Sequence, residues 1–173
     1  KSEIKYLSTS HGKISVWDTE TKGKPVIFVH GNSLSKEVFV RQFECGLHQK
    51  YRLIAIDLPG HGQSQKADDP EKTYNLDGYA ETLMEIIETL KLEDPVAVGW
   101  SLGGHVVLNA LAKGQKFSGI LITGTPPIEI SFSGFHQGFL PAPKVTELFS
   151  KVDFSRQNAV DFITGVGISL DLN

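Results

Sequence analysis

Sulfur is scarce in this chain: 173 residues hold one cysteine and one methionine. With Cys45 alone, no internal disulfide can form, and the composition suits a reducing, cytoplasmic compartment. Neither sign of charge dominates. Seventeen Lys and Arg against 20 Asp and Glu give a net charge of −3. The basic residues never gather into a stripe fit for nucleic acid or an anionic membrane. Long apolar runs are missing too. The stretch from Pro25 to Val29 falls far short of the ~20 residues a membrane-spanning helix needs. Lys1 to Ser10 contains no apolar core of the signal-peptide kind, and the chain opens on Lys rather than Met. His30, His61 and His105 never fall into H-x-H or H-E-x-x-H spacing. There is no P-loop, and Gly165-Val166-Gly167 does not extend into a dinucleotide fingerprint. Neither a metal nor a cofactor is therefore expected. What remains is 40% hydrophobic and 21% charged, the make-up of an ordinary globular domain.

Periodicity supplies the architecture. Ile4 to Ser8 and Lys13 to Asp18 read as two short strands turning at His11-Gly12. Pro25-Val26-Ile27-Phe28-Val29 is apolar on both faces, as a central strand of a parallel sheet must be. Arg52 to Ile56, Pro95 to Val98 and Gly119 to Thr123 repeat that texture. Between them lie helical patterns: one capped by Asn75 and running through Ala80, Leu83, Ile87 and Leu90, another from Leu102 to Ala112. Strands alternating with helices predict an α/β fold with a doubly wound, mostly parallel sheet. After Pro126-Pro127 the texture changes, with Phe132, Phe135 and Phe139 set among Gly, Ser and Pro. Two helices are predicted near Lys144 to Val152 and Ser155 to Val166, and no further strand. The chain thus divides into a core over residues 1–127 and an excursion over 128–173.

The sharpest motif is Gly99-Trp100-Ser101-Leu102-Gly103, placed where a buried strand gives way to a helix. A tight strand–turn–helix needs small residues two positions either side of its serine, and it projects the hydroxyl at the helix N-terminus. Ser101 is the candidate nucleophile. The backbone N–H of Leu102 and the positive end of the helix dipole would face an oxyanion. A second donor should come from the loop after an earlier strand, where His30-Gly31-Asn32 lies. Gly31 permits unusual backbone geometry there. Asn32 offers a backbone N–H and an amide, although a turn or helix-cap role is its plainer reading. Trp100 either lines a substrate pocket beside Gly31 or packs under the elbow. The Phe132 to Phe139 stretch either lids a substrate or packs within the excursion.

These segments, together with Asp57-Leu58-Pro59-Gly60-His61-Gly62-Gln63-Ser64, resemble the α/β-hydrolase superfamily in order and separation. More narrowly, Gly99 to His105 followed by Ile122 to Pro127 resembles the metal-independent α/β-hydrolase-type N-acyl-homoserine lactonases, which are quorum-quenching enzymes. The likeness runs from about His11 to Gly165. It implies a small-molecule ester or lactone as substrate and makes residues 128–173 the start of a helical cap.

A serine hydroxyl needs a base, and the base an orienting acid. On this fold the chain order is Ser, acid, His. Only Glu129 followed by His136 satisfies it here, seven residues apart within the excursion, and that pair is rejected. His105 shares a helix with Ser101, and His61 sits in a loop that the resemblance makes structural. His30 reads as a hydrogen-bonded support. The expectation is therefore that the chain lacks the last strands of the sheet and, with them, the acid and histidine of a triad.

Overall fold

The computed structural model describes residues 3–125, 128–131 and 134–137 of the chain. Its first element is a hairpin, β1 (Glu3–Thr9) against β2 (Gly12–Asp18), antiparallel and in register from Glu3↔Asp18 to Thr9↔Gly12. Gly12 closes the turn at φ +106, a conformation that a side chain resists. The continuous apolar runs form the parallel centre: β3 (Lys24–Val29), β4 (Tyr51–Ile56), β5 (Val96–Trp100) and β6 (Gly119–Thr123). The sheet order is β1-β2-β4-β3-β5-β6, with every pair from β4 to β6 parallel. β5 runs through Gly99 and Trp100, two residues beyond its predicted end.

Helices cover both faces, as the doubly wound reading requires. On one face α3 (Leu76–Thr89) and α4 (Leu102–Ala112) bury Leu83, Ile86, Val106 and Val107 against Ile27, Val29, Ile54, Ile56 and Ala97. Asn75 caps α3 as its sequence position suggests, accepting the Gly78 N–H at 2.9 Å. The opposite face carries a 3₁₀ turn at Lys36–Phe39 that runs into α1 (Val40–Glu44). There Phe39 and Phe43 pack on Phe28, Leu53 and Ala55. These elements and the four-residue α2 (Pro70–Thr73) are too short to show a helical period, and sequence reading missed them.

The chain divides into two compact units, Lys1–Thr125 and Pro126–Asn173. Within the second, β7 (Ile128–Ser131) and β8 (Gly134–Gln137) form an antiparallel hairpin, where no strand was expected. The predicted helices near 144–152 and 155–166 lie outside the described residues, as do Phe132 and Phe139. Among the described residues no helix is long and apolar enough to cross a membrane.

Burial sets the cost of truncation. Leu83 is fully buried between α3 and the sheet, whereas Leu108 on α4 is 44% exposed. Leu83→Ala is expected to lower the unfolding free energy by about 2–5 kcal/mol and Leu108→Ala by less than about 1 kcal/mol, read from urea titrations.

Candidate active site

β3 and β5 are neighbours, and Val29 pairs with Gly99 near their carboxyl ends. The chain leaves β3 toward α1 on one face and leaves β5 into α4 on the other. That divergence falls between adjacent strand ends, the position at which open α/β sheets place ligands. The two segments singled out from sequence, Gly31-Asn32 and Trp100-Ser101-Leu102, come together there, with Gly31 close against Ser101.

Ser101 sits between β5 and α4 with φ +53 and ψ −118, far from the usual basins of a non-glycine residue. Three hydrogen bonds hold it there. Its N–H donates to Thr123 O at 2.9 Å, its carbonyl accepts from the Thr125 hydroxyl at 2.9 Å, and Gly104 N–H donates to the same carbonyl at 3.0 Å. The flanking glycines answer to space. A Cβ on Gly103 would lie 2.0 Å from Val29 O, and one on Gly99 would lie 2.6 Å from Gly104 Cα. One on Gly104 would lie 2.1 Å from Thr125 Oγ1. The helix N-terminus is thereby pressed onto the end of β3.

Gly31 belongs to the same cluster: a Cβ there would come within 3.1 Å of Ser101 Cβ. Asn32 follows, exposed, with Ser33 in the left-handed region at φ +58. Among the described residues, the backbone N–H groups of Asn32 and Leu102 have no hydrogen-bond partner, so both are available to an oxyanion. Trp100 lies on the α1 face, packed against the Phe28 cluster, with its indole nitrogen 2.9 Å from where a Cβ on Gly124 would sit. Its contacts are packing contacts, and the side chain is half-buried.

The histidines separate cleanly. His30 is fully buried; its Nδ1 donates to Gly31 O at 2.7 Å, and its Nε2 accepts Leu58 N–H at 3.0 Å. Both ring nitrogens are thus occupied, which fixes the tautomer and leaves no lone pair for Ser101. Burial pushes the His30 imidazole below its ordinary range, and the Gly31 hydrogen bond only partly opposes this. His61 Nδ1 lies 3.0 Å from Pro59 O. His105 is half-buried, without a hydrogen bond among the described residues, and burial pushes it down as well. Ser101 Oγ has no hydrogen-bond partner among the described residues. Glu129 and His136 are cross-strand partners in the β7–β8 hairpin.

Sequence reading passed over Lys36. It is fully buried, and its ammonium donates to Asp57 Oδ2 at 2.6 Å and to Gln63 Oε1 at 3.0 Å. Its backbone N–H donates to Asp57 Oδ1 at 2.7 Å, and Gln63 N–H donates to Oδ2 at 2.9 Å. Trp17 lies beneath the ammonium, 5.5 Å from ring centroid to nitrogen.

With this geometry in place, the relatives become informative. The sequence profile of the alpha/beta hydrolase fold matches residues 24–161. The chain belongs to that family. Among curated proteins, the AB hydrolase superfamily protein YisY of Bacillus subtilis (strain 168) is 35% identical over 91 residues, 53% of this chain and 33% of that protein. A non-heme chloroperoxidase of Streptomyces lividans is 34% identical over 111 residues, 62% of this chain and 39% of its own. Among solved structures, the N-acyl homoserine lactonase AidH complexed with N-butanoyl homoserine is 38% identical with a TM-score of 0.79. That superposition covers 94% of this chain and 58% of the lactonase. The chain thus matches about a third to two-fifths of the length of these two curated relatives.

Two expectations test the elbow and its support. Gly103→Ala drives a methyl into the Val29 carbonyl and should cost about 3 kcal/mol or more in denaturant titrations. Gly114→Ala, at φ +98 with nothing within 4 Å, should cost only about 1 kcal/mol. His30 folds neutral, with its folded pKa below the unfolded value of 6.5. Its contribution is therefore present above about pH 6.5 and is lost as pH falls through 6.5 toward the folded value. Thermal melts between pH 7.5 and 5 should show Tm falling on acidification, and His30→Gln should flatten that slope. An unchanged slope in the variant would refute the assignment.

Proposed function

We propose that this chain carries the nucleophile and oxyanion hole of a serine hydrolase that opens the ring of N-acyl-homoserine lactones. The observation that carries the reading is the strained backbone of Ser101, held at a helix N-terminus with Gly31 against its Cβ. Strain of this kind in a non-glycine residue costs of order 1–3 kcal/mol and persists where geometry matters more than stability.

In the reaction, Ser101 Oγ attacks the lactone carbonyl as a general base takes its proton. The developing oxyanion is met by the N–H groups of Leu102 and Asn32. Collapse breaks the bond to the ring oxygen, which takes the proton and becomes the homoserine hydroxyl, leaving an ester on Ser101. Water then cleaves that ester and releases N-acyl-homoserine. The base is not among the described side chains near Ser101, and a histidine oriented by an acid is the group this chemistry calls for.

Substrate class is argued from AidH. One AidH structure is complexed with N-butanoyl homoserine, and that of a serine-to-glycine mutant with N-hexanoyl homoserine lactone. A carboxylesterase or thioesterase would use the same parts, and an esterase from Exiguobacterium antarcticum is similar in structure, 24% identical with a TM-score of 0.70. A second reading is a ligand-binding protein of the same fold that keeps the elbow without turnover.

The deciding experiment is labelling with a fluorophosphonate, followed by hydrolysis of N-hexanoyl homoserine lactone and p-nitrophenyl butyrate, in wild type and Ser101→Ala. Labelling and lactone opening that vanish in Ser101→Ala, by at least about 10³-fold, support the lactonase. Turnover of the ester alone points to an esterase. Neither labelling nor turnover supports the binding protein.

A further inference from the structure

The loop that supplies Asn32 has almost no internal support. It leaves β3 at His30 and returns at Lys36, and among the described residues the N–H groups of Asn32, Ser33 and Leu34 make no protein hydrogen bond. Asn32 and Ser33 are exposed, and Ser33 is left-handed at φ +58. An oxyanion donor on such a segment would wander unless something outside the loop held it. Both ends are in fact tied to the same place. His30 accepts the Leu58 N–H, and Lys36 grips Asp57 through its backbone N–H and its ammonium, so the anchors fall on consecutive residues at the end of β4.

The second anchor is the stronger and the odder. Lys36 and Asp57 have no exposed side-chain surface. The Asp57 carboxylate accepts three hydrogen bonds, from Lys36 N–H, the Lys36 ammonium and Gln63 N–H. Charge-assisted bonds are roughly twice as strong as neutral ones and gain further where water is excluded. An ion pair with hydrogen bonds on both partners tolerates little displacement, which a hydrophobic contact in the same place would allow. None of these groups reaches Ser101, so a direct part in the chemistry is not what the pair is built for.

We propose that Lys36 is a positioning residue: its buried pair with Asp57 clasps the Gly31–Ser35 loop and holds the Asn32 donor in register with Ser101. The proposal rests on the hydrolase reading of Ser101 for its catalytic consequence, while the clasp itself is independent of that reading. Misplacing a catalytic group by about 1 Å can cost about 10²-fold in rate. Because the donor acts on the oxyanion rather than on bound substrate, the loss should fall on kcat rather than on KM.

The test compares wild type, K36M and K36M/D57L, the double variant leaving no unpaired charge in the interior should K36M not fold. Active Ser101 is titrated with a fluorophosphonate, and p-nitrophenyl butyrate turnover is expressed per titrated serine. A merely structural role would lower the titrated fraction and leave the rate per site intact. The clasp predicts kcat per site about 30- to 100-fold lower, with KM within about threefold. Hydrogen–deuterium exchange supplies an arm that needs no turnover. The amides of residues 36 and 58, whose hydrogen bonds to Asp57 and His30 tie down the two ends of the loop, should exchange at least about tenfold faster in K36M, and that of residue 58 also in K36M/D57L, while those of 54–56 keep their wild-type rates. Unchanged exchange at residue 58, or a rate per site within about threefold of wild type, overturns the proposal. Wild type and S101A that neither label nor turn over would instead sink the hydrolase reading, with the exchange arm still deciding the clasp.

Discussion

The constraint on which the site depends is the backbone of Ser101, a non-glycine residue at φ +53 and ψ −118. Left alone, it would relax into an ordinary basin and the hydroxyl would swing away. Here the strain is opposed from three directions, by the Thr123 carbonyl, the Thr125 hydroxyl and the Gly104 N–H. Two of these come from β6 and the turn after it, so the pairing of β5 with β6 is part of the site. The helix must also sit close enough to seal the turn, and only glycine at 99, 103 and 104 allows that approach. Sheet register, helix position and serine geometry are therefore one problem with one solution.

The loop facing Ser101 is held on a different principle. The elbow is rigid because its backbone is crowded; the Gly31–Ser35 loop is held at its ends by buried polar groups. Burying Lys36 and Asp57 costs several kcal/mol per ion in desolvation, which their attraction offsets only with good geometry and satisfied partners. Asp57 meets that condition, with three donors on its two oxygens. His30 works without charge, because burial keeps it neutral and its two nitrogens divide the roles of donor and acceptor.

Much of this was legible in the chain, and the reason differs from residue to residue. β3 and β4 read as parallel strands because burial on both faces removes polar alternation, and β6 and α4 fall at their predicted bounds. Ser101 was legible because close approach leaves a compositional trace, glycine, at fixed offsets. Lys36 was not. A lysine after Ser-Leu-Ser looks like a solvated loop residue, and its partner lies 21 residues away, so burial arises only once β3 and β4 pair. The β7–β8 hairpin was missed for another reason. Its strands have four residues each, too few for alternation to stand out from a Gly- and Phe-rich background.

The arrangement separates two tasks that serine hydrolysis needs. In the proposed reaction, stabilising the oxyanion falls to the carboxyl ends of β3 and β5, neighbours whose register at Val29↔Gly99 sets the distance between the two loops. Moving the proton falls to a base that neither loop supplies, since His30 has both nitrogens occupied and His105 rides on the helix of the nucleophile itself. The tasks are energetically separable too. In serine hydrolases stripped of triad members, an oxyanion hole with binding still gives about 10³–10⁴-fold over water. The geometry of Ser101 comes from the sheet and the helix that crowd it, through the Thr123, Thr125 and Gly104 hydrogen bonds.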